Sequence, residues 1–189
     1  MKRQQALLIA STLGLSWLGM QAVHEAGHVG AAILSGGRVE RVVLHPETIS
    51  YTQLTQNPHP LFVAWMGPIT GIALPLTFSL GARRLGLRGW YVLQFFTGFC
   101  LITNGAYLAF GSLEGIGDAG DIARHGSPQY LLWLFGAITI PIGLWLWNGL
   151  GRYFGLGNNA EVVDKTVAYA ATILLIILFA AELLWGCTY

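Results

Sequence analysis

His24, Glu25 and His28 stand in the order His-Glu-x-x-His. On a helix of 3.6 residues per turn, positions four apart share a face, so both imidazoles can reach one ion. Glu25, beside His24, can then address a water on that ion. Zinc in catalytic sites usually has three protein ligands and one water, whose pKa falls to about 7. The expected chemistry is hydrolysis: the glutamate takes the water's proton while the metal polarises a carbonyl. The pattern therefore predicts Glu25 as general base, His24 and His28 as metal ligands, and one zinc ion as cofactor.

A third ligand has to come from elsewhere in the chain. Candidates are His45, His59, His125, Glu114, Asp118 and Asp121. Asp118 leads, because in Gly117-Asp118-Ala119-Gly120-Asp121-Ile122 the flanking glycines permit close backbone approach. Asp121 is its main rival and His125 a minor one. A second role for Asp118, compatible with the first, is N-cap of a short helix running to Arg124. His45 and His59 read as solvated loop histidines.

The elements that must position these groups belong to a membrane protein. Apolar residues make up 54% of the chain and charged residues 10%, against about 25% charged in soluble proteins. A net charge of +1 supplies no field for nucleic acid, and no nucleic-acid motif is present. Cys100 and Cys187 form neither a disulfide framework nor a cysteine zinc site. Five apolar stretches approach or exceed the length that crosses a bilayer: 6–23, 61–80, 89–110, 130–150 and 167–185. The fold class expected is an all-α polytopic membrane protein, with about five transmembrane helices and a small β-hairpin after the first. Residues 1–189 read as one domain, with a catalytic core over about 6–125 and additional helices over about 129–189. Met1-Lys2-Arg3 and the apolar run behind it also fit a signal peptide, the less favoured reading.

The connections carry their own signals. Gly36-Gly37 ends the first helix with the residue that adopts left-handed caps. Residues 39–44 and 49–55, rich in Val, Ile, Tyr and Thr around His45-Pro46-Glu47, predict a β-hairpin. Gly67, Gly71 and Gly98 suit close helix packing. Trp90, Trp133 and Trp185 fall near span ends, where aromatic belts form, and Glu182 is expected at the interface. Arg83, Arg84 and Arg88 read as a topology signal. With five alternating spans, Lys2, Arg3, Arg83, Arg84, Arg88, Arg152 and Lys165 share one side, and Arg38, Arg41 and Arg124 the other. That bias predicts a cytoplasmic N-terminus.

Taken together, the motifs resemble the site-2 protease family of intramembrane zinc metalloproteases. That family carries HExxH in a transmembrane helix and an aspartate in a later Leu-Asp-Gly-Gly type motif. Here Asp118 aligns with that aspartate and Gly120 with the second glycine, while Ala119 replaces the first. Gly67-Pro68 resembles a Gly-Pro motif of the family, and the resemblance covers roughly residues 8–122. It implies a three-helix catalytic core in which His24, His28 and Asp118 bind zinc and Glu25 is the base. The family's asparagine and prolines before the aspartate are not matched. Asn104 lies fourteen residues upstream and reads as a helix-packing amide rather than a substrate contact. The best-known members place the site nearer the cytoplasmic face, whereas the charge bias here places it nearer the outer one.

The resemblance also implies a use for the hairpin: its free edge pairs with an extended substrate, or it serves only as a lid. The function expected is a zinc endopeptidase that hydrolyses membrane-embedded or juxtamembrane peptide bonds. Its partners would be a membrane-protein substrate and the lipid bilayer, without nucleic acid and with oligomeric state open. The expected location is a bacterial cytoplasmic membrane, as a multi-pass protein. The alternative is a non-catalytic scaffold or metal-binding relative, against which the intact Glu25 argues.

Overall fold

The structure, a computed structural model, describes residues 2–186, except the side chains of residues 185 and 186. Cys187 and the aromatic-belt role expected for Trp185 therefore lie outside the description. The order is α1 (Arg3–Leu34), β1 (Arg38–Val43), β2 (Tyr51–Gln56), α2 (Pro60–Arg84), α3 (Trp90–Glu114), α4 (Gly117–Arg124), α5 (Gln129–Trp147), a 3-10 turn (Leu150–Phe154) and α6 (Lys165–Gly186). Five helices, all but α4, are long and apolar enough to cross a membrane. The expected fold class is what the structure shows.

The first helix reaches the glycine stop expected for it. The first apolar stretch ends at residue 23, yet α1 runs unbroken through the polar motif to Leu34. Its 32 residues span about 48 Å at 1.5 Å per residue, longer than a hydrocarbon core of about 30 Å. The motif thus sits on the interior of a helix, not at its end. The helix stops where the glycines demand. Gly36 takes φ +78°, its N–H reaches Ile33 O, and the N–H of Gly37 reaches Ala32 O at 2.7 Å. That is the bonding of a Schellman cap.

The helices pack in sequence order, α1 on α2 and α2 on α3, with α5 against α3 and α6 against α1. Glycines set how closely. A Cβ on Gly27 would lie 2.9 Å from the Met66 carbonyl carbon and 2.8 Å from Thr70 Cβ. On α3 and α5, a Cβ on Gly136 would lie 2.8 Å from Gly105 O, and one on Gly143 2.8 Å from Gly98 O. Small residues at these crossings let backbones meet, as packing in a membrane requires.

Two apolar clusters mark opposite ends. Leu8, Tyr91, Phe154 and Val167 gather where α1, α3 and α6 begin. Ala64, Leu108, Ala119, Ile122 and Leu132 gather where α2 and α5 begin and α3 ends. The hairpin and α4 belong to this second end. β1 and β2 pair antiparallel, Val42 opposite Thr52 and Val43 opposite Tyr51, with irregular register from Arg38 to Arg41. The strands lie within two residues of the expected ones. Along β2, Thr52 and Leu54 point inward while Tyr51, Gln53 and Thr55 are exposed. Leu54 and Val39 pack with Ala31, Ala32 and Val63, fastening the hairpin to α1 and α2.

Glu182 is buried by the protein itself. It is 4% exposed, and its Oε1 has no hydrogen-bond partner among the described residues. It is enclosed near the end of α6, a helix that packs against α1.

Candidate active site

Three side chains from two elements converge on one point. α1 supplies His24 and His28 one turn apart, and α4 supplies Asp118. His24 Nε2 lies 2.7 Å from Asp118 Oδ2, and His28 Nε2 lies 3.3 Å from it. The two Nε2 atoms are 3.0 Å apart. Among the described residues this is the one set of three His, Cys, Asp or Glu side chains whose donor atoms could hold a metal ion.

The far sides of the rings fix their tautomers. His24 Nδ1–H donates to Asn104 Oδ1 at 2.8 Å, and His28 Nδ1–H donates to the Val63 carbonyl at 2.8 Å. Asn104 is oriented in turn, its amide N–H donating to Cys100 O at 2.9 Å. With Nδ1 protonated on both rings, each neutral imidazole presents an Nε2 lone pair to the other and to a carboxylate. Such acceptors repel unless a cation lies between them. Tetrahedral zinc with Zn–N bonds near 2.0–2.1 Å would hold its donors about 3.3 Å apart. The observed 2.7–3.3 Å is that spacing slightly contracted, so the donor set fits zinc. Burial alone would raise the Asp118 carboxyl. Where the rings carry a proton on Nε2, their hydrogen bonds and positive charge outweigh it and hold the group far below the ordinary carboxylate range.

Backbone without side chains makes the approach possible. A Cβ on Gly67 would lie 2.8 Å from His24 Nε2 and run into the ring of His28. Gly67 therefore lets α2 lie directly against the donors. Gly117 takes φ +52°, and a Cβ there would collide with the Tyr107 hydroxyl. That hydroxyl instead accepts the N–H of Asp118 at 3.2 Å. Ala119 is fully buried against Leu108 and Ile122, so a methyl is useful where the resemblance calls for glycine. The helix begins at Gly117 with Ile116 as N-cap. Asp118 is thus not the N-cap, and its carboxylate is turned to the histidines.

The other candidates go elsewhere. Asp121 pairs with Arg124 at 2.5 Å. His125 Nδ1–H donates to Asp121 O, and both residues only line the outer wall of the cavity. His59 is the exposed N-cap of α2, Glu114 is exposed, and His45 accepts the Glu47 N–H in the hairpin turn.

Glu25 is 3% exposed and fully engaged. Ser50 Oγ–H donates to its Oε1 at 2.8 Å, and Thr52 Oγ1–H to its Oε2 at 2.7 Å. Gln21, one turn before Glu25, accepts the Ser50 N–H at 2.8 Å. A cavity of about 900 Å³ opens over this group, walled by Trp17, Ile49, Thr52, Tyr107 and Asp118. The structure brings together His24, His28 and Asp118, which sequence reasoning had named with Glu25; that reasoning did not name Ser50, Thr52, Gln21 or the Val63 carbonyl, and assigned Asn104 to packing.

A family model described as Peptidase M50B-like matches residues 7–104. The chain belongs to that family. The match covers the histidine pair, Glu25, the hairpin, Gly67 and Asn104, and stops before Asp118. It makes the chain a protease-related protein, in keeping with the resemblance to site-2 proteases, and the five apolar helices make it an integral, multi-pass membrane protein. No curated protein and no solved structure matches it.

Proposed function

We propose that the chain is a zinc-dependent endopeptidase acting on membrane-embedded or juxtamembrane peptide bonds. The observation that carries this reading is the convergence of one ligand atom each from His24, His28 and Asp118 within 4.8 Å of one another, beside a buried glutamate. His24, His28 and Asp118 would hold the ion. Zinc bound there would supply Lewis-acid polarisation of a peptide carbonyl and acidify a water ligand.

The remaining roles fall to the chain itself. Asn104 and the Val63 carbonyl keep both imidazoles in the tautomer that presents Nε2. Glu25 accepts the proton of the attacking water at a carboxylate oxygen and returns it to the leaving amine. The cavity beside β2 admits an extended segment, and an exposed strand edge gives such a segment backbone partners. A transmembrane helix has its carbonyls already bonded, so a substrate must unwind before it can lie there.

The test is cleavage of a transmembrane peptide by purified protein in detergent, with zinc measured per chain. Wild type should cleave and carry about one zinc. Glu25→Gln should keep the metal and lose on the order of 100- to 10,000-fold in rate, the range of general acid–base catalysis. Equal rates for both proteins would reject the mechanism and favour a scaffold.

A further inference from the structure

Nothing in the catalytic reading requires the hairpin to touch the base, yet it does so twice. Glu25 is on the motif helix, and the donors to its two carboxylate oxygens are 25 and 27 residues away on the hairpin. Each is a hydroxyl donating to an ionised oxygen, the stronger class of hydrogen bond. Ser50 immediately precedes β2 and Thr52 is its second residue, and both hydroxyls face Glu25. Their spacing matches the two oxygens of one carboxylate. A third tie runs parallel, from the Ser50 N–H to Gln21. Gln21 and Glu25 are four apart, on one face of α1. Two polar residues of the helix thus meet two of the hairpin at neighbouring points.

We infer that Ser50 and Thr52 are positioning residues for Glu25, forming a clamp through which the hairpin holds the general base in place. The inference rests on the proposed function, since it gives Glu25 a catalytic task. A free glutamate has three rotatable bonds before its carboxylate, and both its position and its plane have to be set for proton transfer. Packing against apolar neighbours would fix the stem alone. Two donors, one on each oxygen, fix the plane as well. Each oxygen still has a second lone pair, so the clamp leaves the base able to accept a proton. The clamp also ties catalysis to the strand that walls the cavity. A segment that displaces β2 moves the carboxylate with it.

The experiment has two arms on the full chain. The first measures kcat, KM and zinc content for wild type, Glu25→Gln, the double variant Ser50→Ala/Thr52→Val, and the hydroxyl-keeping Ser50→Thr and Thr52→Ser. A displaced base costs on the order of 10- to 100-fold in kcat. We expect that loss in the double variant, with KM and zinc unchanged, and near-wild-type kcat in both conservative variants. The second arm reads hydrogen exchange of residues 44–56 in metal-free protein. Exchange should quicken at least about tenfold in Glu25→Ala and in the double variant alike, since both delete the same bonds.

Unchanged exchange in both would overturn the clamp, whatever the peptidase activity proves to be. A double variant with kcat equal to or above wild type would also overturn it, the latter outcome meaning that the hairpin restrains the base. A change in KM alone would make the hydroxyls substrate contacts instead. If wild type cleaves no faster than Glu25→Gln, the proposed function fails, and the exchange arm still decides whether the hairpin holds Glu25.

Discussion

Asn104 shows how a residue can be visible in a sequence and still be misread. An asparagine inside an apolar span suggests a packing amide. Its Oδ1 instead accepts from His24 Nδ1, across 80 positions of sequence. Nothing local encodes that contact, whereas His24 and His28 encode theirs through helical spacing alone. Ser50, Thr52 and the Val63 carbonyl were illegible for the same reason, because each meets the motif only once the hairpin and α2 have docked. Removing Asn104 should loosen the metal without removing a ligand. Outer partners of this kind typically contribute 10- to 100-fold in metal affinity, so competition titration of Asn104→Ala should show a loss of that order. Asp118→Ala should lose the metal outright, while Asp121→Ala, which breaks only the pair with Arg124, should keep it. Retention in the first and loss in the second would move the third ligand to Asp121.

At the scale of elements, the spans were legible because bilayer length and apolar run nearly coincide, and the hairpin because its β-branched runs flank a proline turn. The reach of α1 was legible from Gly36-Gly37, but what lets it cross the polar motif was not. Hydropathy drops at His24 to His28, yet buried partners satisfy each polar group, so the helix continues. Glycine placement tests this packing directly. Gly67 faces the ligand rings, and Gly81 on the same helix has nothing within 4 Å of an added Cβ. Gly67→Ala should cost about 1–3 kcal/mol of stability, the usual penalty of overpacking, and displace the ligands. Gly81→Ala should be neutral or gain up to about 1 kcal/mol from helix propensity. Thermal unfolding of both in the same detergent separates the predictions. Equal behaviour would mean that α2 does not press on the histidines as described.

At the scale of the molecule, one end carries the ligands and the hairpin, and the other carries most of the positive charge. Arg88 donates twice to Asp164, at 2.6 and 2.9 Å, tying the α2–α3 turn to the start of α6. The Arg88 guanidinium beside it holds the Asp164 carboxyl below the ordinary carboxylate range, outweighing a small opposing effect of burial. A depressed folded value means that the pair's contribution is present above the unfolded pKa of about 3.9 and fades as pH falls through the folded one. Wild type and Arg88→Gln should therefore differ in melting temperature at neutral pH and converge in acid.

The same end holds Arg83, Arg84 and Arg152, and with Lys2, Arg3 and Lys165 it outnumbers Arg38, Arg41 and Arg124 at the site end. From the positive-inside bias we predict the hairpin and the proposed metal ligands on the outer side. Ile49, at the hairpin turn, is 78% exposed; of the two native cysteines, Cys100 is buried and Cys187 is replaced by serine in the labelled variants. An Ile49→Cys variant in intact cells should react with a membrane-impermeant thiol reagent, and a cysteine at Leu85, 75% exposed at the opposite end, should react only after lysis. The reverse pattern would turn the protein over and place its site, like that of the best-known site-2 proteases, toward the cytoplasm. Either result also decides from which side of the membrane a substrate must reach His24 and His28.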